Sequence, residues 1–162
     1  MRTIHATMIG ILVPTTLLAT AVTMQRTLGL FPCEMCLEQR TALWVAAGLS
    51  MFALLTRRTF IGRVATVSGA VAMASSAWIA VHQAGGERGW WRLHTACAST
   101  IGSGEDMLSQ IMKAPFVRCD VPQWRMAGMS MADLNALICI AAASTMITIM
   151  AITAMRERRT EP

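Results

Sequence analysis

Four long apolar blocks constrain this chain more than any other feature. They run over 4–24, 37–55, 64–84 and 131–155, and each comes near the about 20 residues a helix needs to cross a bilayer. No water is present in hydrocarbon to satisfy backbone N–H and C=O groups, so such blocks close their hydrogen bonds internally as helices. A mean hydropathy of +0.49, with 54% hydrophobic and only 14% charged residues, suits a chain immersed mostly in lipid. The expectation is an all-α membrane protein, a bundle of four transmembrane helices forming a single domain over 1–162. Four spans leave almost no chain for a separate soluble domain. The first block exceeds the ~7–15 apolar residues of a secretory signal and no A-x-A site follows it, so it is expected to remain as the first span.

Charge then sets the expected orientation. Arg2 precedes the first span, Arg57, Arg58 and Arg63 crowd the link between the second and third, and Arg156, Arg158 and Arg159 follow the fourth. These short segments hold seven of the fourteen Lys and Arg residues. Short segments rich in Lys and Arg stay in the cytoplasm, which puts both termini and the middle link inside and the loops 25–36 and 85–130 outside. The net charge of +5 is therefore a topology signal. No basic face with stacking or groove-reading groups accompanies it, so nucleic acid is not an expected partner.

The chemistry concentrates where the first outer loop turns into the second block, at Pro32-Cys33-Glu34-Met35-Cys36-Leu37-Glu38-Gln39-Arg40. With a helix starting just after Pro32, a residue suited to a first helical position, Cys33, Cys36 and Arg40 follow at steps of three and four and share a face. The positive end of a helix and a guanidinium both favour thiolate, the nucleophilic form of cysteine. Without the cysteines Arg40 would read as a side chain snorkelling to the interface. Beside them it reads as a fixed cation able to stabilise a thiolate or a quinone anion.

Elsewhere the chain is read more plainly. Pro14 is expected to kink the first span. Small residues from Gly69 to Ala77 in the third span suit close helix approach, and Trp90, Trp91 and Trp124 read as interfacial anchors. His82, near the outer end of the third span, reads either as an interface anchor or as a hydrogen-bond partner for a quinone carbonyl. In the second outer loop Gly85, Gly86 and Gly89 add backbone freedom. Ser103-Gly104-Glu105-Asp106 followed by Met107, Leu108, Ile111 and Met112 predicts a short interfacial helix.

Four of the five cysteines, Cys33, Cys36, Cys97 and Cys119, lie on the outward side, where disulfides persist. Structural disulfides are one reading, and Cys97 with Cys119 alone would be read so. A Cys-x-x-Cys suits exchange better than stapling. A zinc site is disfavoured because Cys97 and Cys119 lack the short spacing of a second knuckle, and covalent haem because Leu37, not histidine, follows Cys36. No metal ligand set is expected. Cys139, within the fourth span, is assigned no role.

The Pro-Cys-x-x-Cys-x-x-x-Arg of Pro32 to Arg40 at the head of the second of four spans, a cysteine pair in a long outer loop, and Cys119-Asp120 with Gln123-Trp124 leading into the last span resemble the DsbB family, disulfide bond formation protein B. The resemblance implies a thiol:quinone oxidoreductase of the bacterial inner membrane. Cys97 would be attacked by a reduced periplasmic DsbA-like protein of thioredoxin fold. Cys97 and Cys119 would pass their electrons by exchange to the Cys33 and Cys36 disulfide. Cys36 would then present a thiolate to a membrane quinone, ubiquinone or menaquinone, with Arg40 and His82 as quinone-binding residues. A DsbA-type oxidant sits near about −120 mV, so its reoxidation needs an acceptor of higher potential, and quinones dissolve in the bilayer. Two alternatives stay open: a thiol oxidase of the vitamin K epoxide reductase type, in which the quinone-proximal Cys-x-x-Cys belongs to a late span, and a non-enzymatic tetraspan protein whose outer cysteines staple its loops.

Overall fold

The structure, a computed structural model, describes residues 2–93 and 117–160. Four helices carry it: α1 (Arg2–Leu28), α2 (Glu34–Leu55), α3 (Phe60–Glu87) and α4 (Met131–Thr160). The expected interfacial helix and Cys97 lie outside the described residues.

Among the described residues, three helices are long and apolar enough to cross a membrane, within Thr3–Leu28, Phe60–Glu87 and Met131–Arg159. The expected fourth, α2, is not shown by length and composition. α2 spends its first two turns on Glu34, Glu38, Gln39 and Arg40, and the apolar run that follows is too short to offset them. α1 continues through Pro14, which is fully buried.

α3 is the central helix, packed on α2 along one side and α4 along the other. Its buried face carries Gly62, Ala65, Thr66, Gly69, Ala70, Met73, Ser76, Ala77, Ala80 and Gln83, a stripe at steps of three and four that brings backbones together. Large apolar side chains point the other way: Trp78 on α3, Trp44 on α2 and Leu12 on α1 are 73%, 64% and 59% exposed. Small residues inside and bulky apolar ones outside is the arrangement of a bundle whose solvent is lipid.

Two devices close the end of the bundle where α3 stops and α4 starts. After α3 the chain reverses in a Schellman turn: Gly89 takes φ +73, its N–H reaches the Gly86 carbonyl at 2.9 Å, and Trp90 N–H reaches the Gly85 carbonyl at 3.0 Å. The returning segment packs onto the helix it left. A Cβ on Gly85 would fall 2.0 Å from the Trp91 ring and one on Gly86 2.4 Å from Leu93. These two glycines therefore admit close packing, whereas the sequence suggested backbone freedom. Before α4, β1 (Arg125–Met126) and β2 (Met129–Ser130) form a hairpin turned by Ala127 at φ 51 and Gly128 at φ 81, the two left-handed residues of a type I′ turn. Ser130 and Asp133 then exchange the bonds of a capping box: Ser130 N–H donates to the Asp133 carboxylate at 2.9 Å, and Asp133 N–H to Ser130 Oγ at 3.3 Å. Asp133 also pairs with Arg88 at 2.7 Å, tying the end of α3 to the start of α4.

Candidate active site

Cys33 is the N-cap of α2, with extended backbone (φ −77, ψ 172) and no side-chain capping bond. Its carbonyl accepts the first helical bond, from Leu37 N–H at 3.1 Å. The helix thus starts one residue later than the sequence suggested, and Cys36 falls in its first turn. The Cys33 thiol, free of capping duty, donates to Cys36 Sγ at 3.0 Å. Neither cysteine is in a disulfide.

Cys119 completes the cluster. The segment from Val117 lies across the start of α2, so that Cys33, Met35 and Cys119 are buried together with Cys36, Ile79, Leu93 and Val117 against them. Gln123 fastens this segment to the first loop: Phe31 N–H donates to its Oε1 at 3.1 Å and its Nε2 donates to the Phe31 carbonyl at 2.7 Å. Residues some 90 apart in sequence (separation 92) are so held by a two-point bond. Three of the four cysteines expected on the outward side therefore meet at one place.

Their environments differ. A hydrogen bond with Cys119, another with Cys36 and burial all push the Cys33 thiol well above its ordinary range. The bond received from Cys33 brings Cys36 down to about 7, against the opposing effect of burial. The pair thus has one sulfur that holds its proton and one that releases it near neutrality, which is the division of labour of an exchange-active dithiol.

Cys36 opens on a cavity of about 270 Å³ lined by all four helices, the first loop and the segment around Cys119, close to the ~300 Å³ lower end of small-molecule sites. Leu17, Met24, Leu43 and Ile138 make apolar walls, and Trp124 also lines it. Arg40 reaches into it. Its head does not snorkel outward but crosses to α1, donating to Gln25 Oε1 at 2.7 Å and to the Ala21 carbonyl at 3.5 Å. Both acceptors are neutral. The other cation lining the cavity, Arg118, is committed to Asp120 at 2.5 Å, and nearby Arg88 to Asp133 at 2.7 Å. Arg40 is the cation whose described hydrogen bonds leave its charge unneutralised beside the cavity.

His82 is not brought there. One residue round the helix from inward-facing Gln83, it is exposed and stacks on Trp91 with ring centroids 5.4 Å apart, while Trp91 Nε1 donates to the His82 carbonyl at 2.9 Å. The sequence reading missed Gln25, Gln83 and Glu87, which line the cavity, and gave Gln39 and Asn135 no role there. Their signal was present: polar side chains inside apolar helices mark functional positions by default.

Compared with known proteins, the chain matches the model of one family, disulfide bond formation protein DsbB, over residues 3–149. No curated protein and no solved structure matches it.

Proposed function

Since the chain belongs to the DsbB family, membrane oxidoreductases of disulfide bond formation, we propose that it reoxidises a periplasmic DsbA-like dithiol protein and passes the electrons to a membrane quinone. The observation that carries this reading is the position of the sulfurs: Cys119 buried against Cys33, and Cys36 on the wall of an apolar cavity beside Arg40.

The proposed sequence conserves electrons at each exchange. The carrier's thiolate attacks Cys97 of a Cys97–Cys119 disulfide and expels Cys119. The carrier's second thiol then releases the carrier as a disulfide and leaves Cys97 reduced. Cys119 attacks the sulfur it packs against, Cys33, in the Cys33–Cys36 disulfide, and Cys36 departs. Cys36 is the better leaving group because its pKa is the lower of the two. A quinone supplies the acceptor chemistry, taking two electrons and two protons and leaving as quinol. The residues present fit that group. The walls are apolar, Cys36 presents a nucleophilic sulfur, and Arg40 offers positive charge where an anion would develop. Cys97 then attacks Cys119 of the Cys33–Cys119 bond, which restores the Cys97–Cys119 disulfide and frees Cys33 as the thiol. Return of Cys33 and Cys36 to the disulfide completes the cycle, whose sum is carrier dithiol plus quinone giving carrier disulfide plus quinol.

In this reading α2 is the fourth span. Its exposed side from Trp44 through Val45, Met51 and Phe52 to Leu55 is apolar, and its polar first turns sit at the outer surface, where the site needs them. Both termini are cytoplasmic, the two cysteine-bearing loops are periplasmic, and the whole chain is one domain in the bacterial inner membrane. Arg40 is kept as a quinone-site residue. His82 is read as an interface residue stacked on Trp91.

The test uses purified protein in detergent, a reduced DsbA-like carrier and a water-soluble quinone analogue, with quinone absorbance as the readout. The expected result is carrier-dependent loss of quinone that is abolished in Cys36→Ser, Cys97→Ser and Cys119→Ser. Cysteines that stay oxidised and quinone that stays unreduced would refute the proposal.

A further inference from the structure

The proposed cycle uses none of the buried amides between α2, α3 and α4, yet they form one connected row ending at the Cys36 sulfur. Starting from the far end, Cys139 Sγ donates to Asn135 Oδ1 at 3.3 Å. Asn135 Nδ2 donates to Gln39 Oε1 at 2.8 Å. Gln39 Nε2 donates to Gln83 Oε1 at 2.8 Å. Gln83 Nε2 donates to Glu87 Oε1 at 3.2 Å, and the amide meets Cys36 Sγ through both of its atoms at 3.8 Å, so the sulfur donates to Oε1 as a thiol and accepts from Nε2 as a thiolate. Gln39 and Gln83 are 7% and 6% exposed. Amides this deep in a bundle are expensive unless every donor and acceptor is used.

The direction of the row is fixed at both ends. The Ser76 hydroxyl spends its proton on the Gln39 backbone carbonyl at 3.3 Å, so it meets Asn135 as an acceptor, at 3.3 Å from Nδ2. That turns the NH₂ of Asn135 toward α2, and each amide oxygen then faces the donor before it. At the other end Glu87, an acceptor when ionised, holds the Gln83 NH₂ toward itself. An NH₂ group has two protons, so one serves Glu87 and the other faces Cys36. Reversing the row would oppose Asn135 Oδ1 to a spent hydroxyl and Gln83 Oε1 to a carboxylate. Hydrogen bonds aligned head to tail polarise one another and strengthen the final donor.

We propose that Gln83, Gln39 and Asn135 form a directional amide relay that donates a hydrogen bond to Cys36 Sγ and holds this sulfur as thiolate for electron transfer. Gln83 is a catalytic residue of the site because it touches the reacting atom. Gln39 and Asn135 are positioning residues that fix which face of the Gln83 amide meets it. Cys139 is the terminal donor, and a hydroxyl in its place serves equally. The inference rests on the role assigned to Cys36 above.

The experiment is site-resolved alkylation of Cys36 against pH in the full-length, reduced protein in detergent, read by peptide mass spectrometry with thermal unfolding as the control for folding. Gln83→Met and Gln39→Met keep side-chain length and remove the donors. Gln83→Met is expected to raise the midpoint by about one pH unit, a tenfold fall in the acid dissociation constant. Gln39→Met, which leaves the contact residue in place, is expected to raise it by about half a unit, or roughly threefold. Cys139→Ser leaves it unchanged. A merely structural row would lower the unfolding temperature without moving the midpoint. Midpoints within about 0.2 unit of the parent in folded Gln83→Met and Gln39→Met overturn the proposal. Should Gln83→Met fail to fold, Gln39→Met decides alone. Quinone reduction by the parent protein is scored separately: an inactive parent with a shifted midpoint refutes the assigned function, and an active parent with an unmoved midpoint refutes the relay.

Discussion

Removing the Cys33 thiol is the most direct perturbation of the site, because the hydrogen bond it donates to Cys36 at 3.0 Å is the largest influence drawing Cys36 from 9.0 down to about 7. Burial acts in the opposite direction, so Cys33→Ala is expected to return the Cys36 midpoint to about 9 or higher. A shift of two pH units corresponds to about 2.7 kcal/mol favouring thiolate in the intact pair. Thiolate is present above the midpoint and is lost as pH falls through it. At pH 7 the intact pair thus holds about half of Cys36 as thiolate and the variant about 1%. The observed alkylation rate falls less than that ratio. A thiolate of higher pKa is the stronger nucleophile, with a Brønsted slope of about 0.4–0.5. The roughly 50-fold loss of thiolate therefore becomes a loss of about sixfold in rate at pH 7. The assay must accordingly follow the midpoint of the pH profile, mapped to the Cys36 peptide, and not a rate at one pH. Cys33→Ser, which restores a donor, should bring the midpoint partway back. A midpoint that stays near 7 in Cys33→Ala would refute the reasoning and assign the thiolate to the helix terminus and Arg40 instead.

Further outcomes are expected at neighbouring positions. Arg40→Ala removes a charge-assisted interaction of about 1.5–3 kcal/mol, so the KM for quinone should rise by roughly 10- to 150-fold while mixed-disulfide formation with the carrier is unaltered; equal loss at both steps would count against Arg40 as a quinone-site residue. In Cys36→Ser, Cys33 should take Cys119 from its disulfide by exchange and accumulate as a Cys33–Cys119 bond, visible by non-reducing peptide mapping. His82→Ala should leave the quinone KM within about twofold, as expected of a substitution at an exposed position worth less than ~0.5 kcal/mol; a larger change would return His82 to the site. Asp133→Ala removes both the α4 cap and the tie to Arg88, and should cost about 1–2 kcal/mol, read as a lower unfolding temperature in detergent.

What the sequence disclosed and what it withheld divide along a physical line. The apolar blocks were legible because lipid imposes a composition on a whole helix, and Cys33, Cys36 and Arg40 were legible because their spacing is local. α2 shows the limit of the first kind of signal, since Gln39 and Arg40, which line the cavity, are among the residues that depress its hydropathy. The contact between Cys119 and Cys33 and the pairing of Gln39 with Gln83 and Asn135 span separations of up to 96 residues, for which no local rule exists. His82 illustrates the remaining difficulty. Adjacent residues on a helix differ in direction by about 100°, so once packing turned Ser76, Ala80 and Gln83 toward α2, His82 had to face outward with Trp78. Choosing between His82 and Gln83 required the rotation of α3, which its small-residue stripe encodes: Gly69, Ala70, Met73, Ser76, Ala77 and Ala80 define a face whose next outward step is Gln83. The same stripe that lets the helices touch therefore selects the residue that meets the Cys36 sulfur.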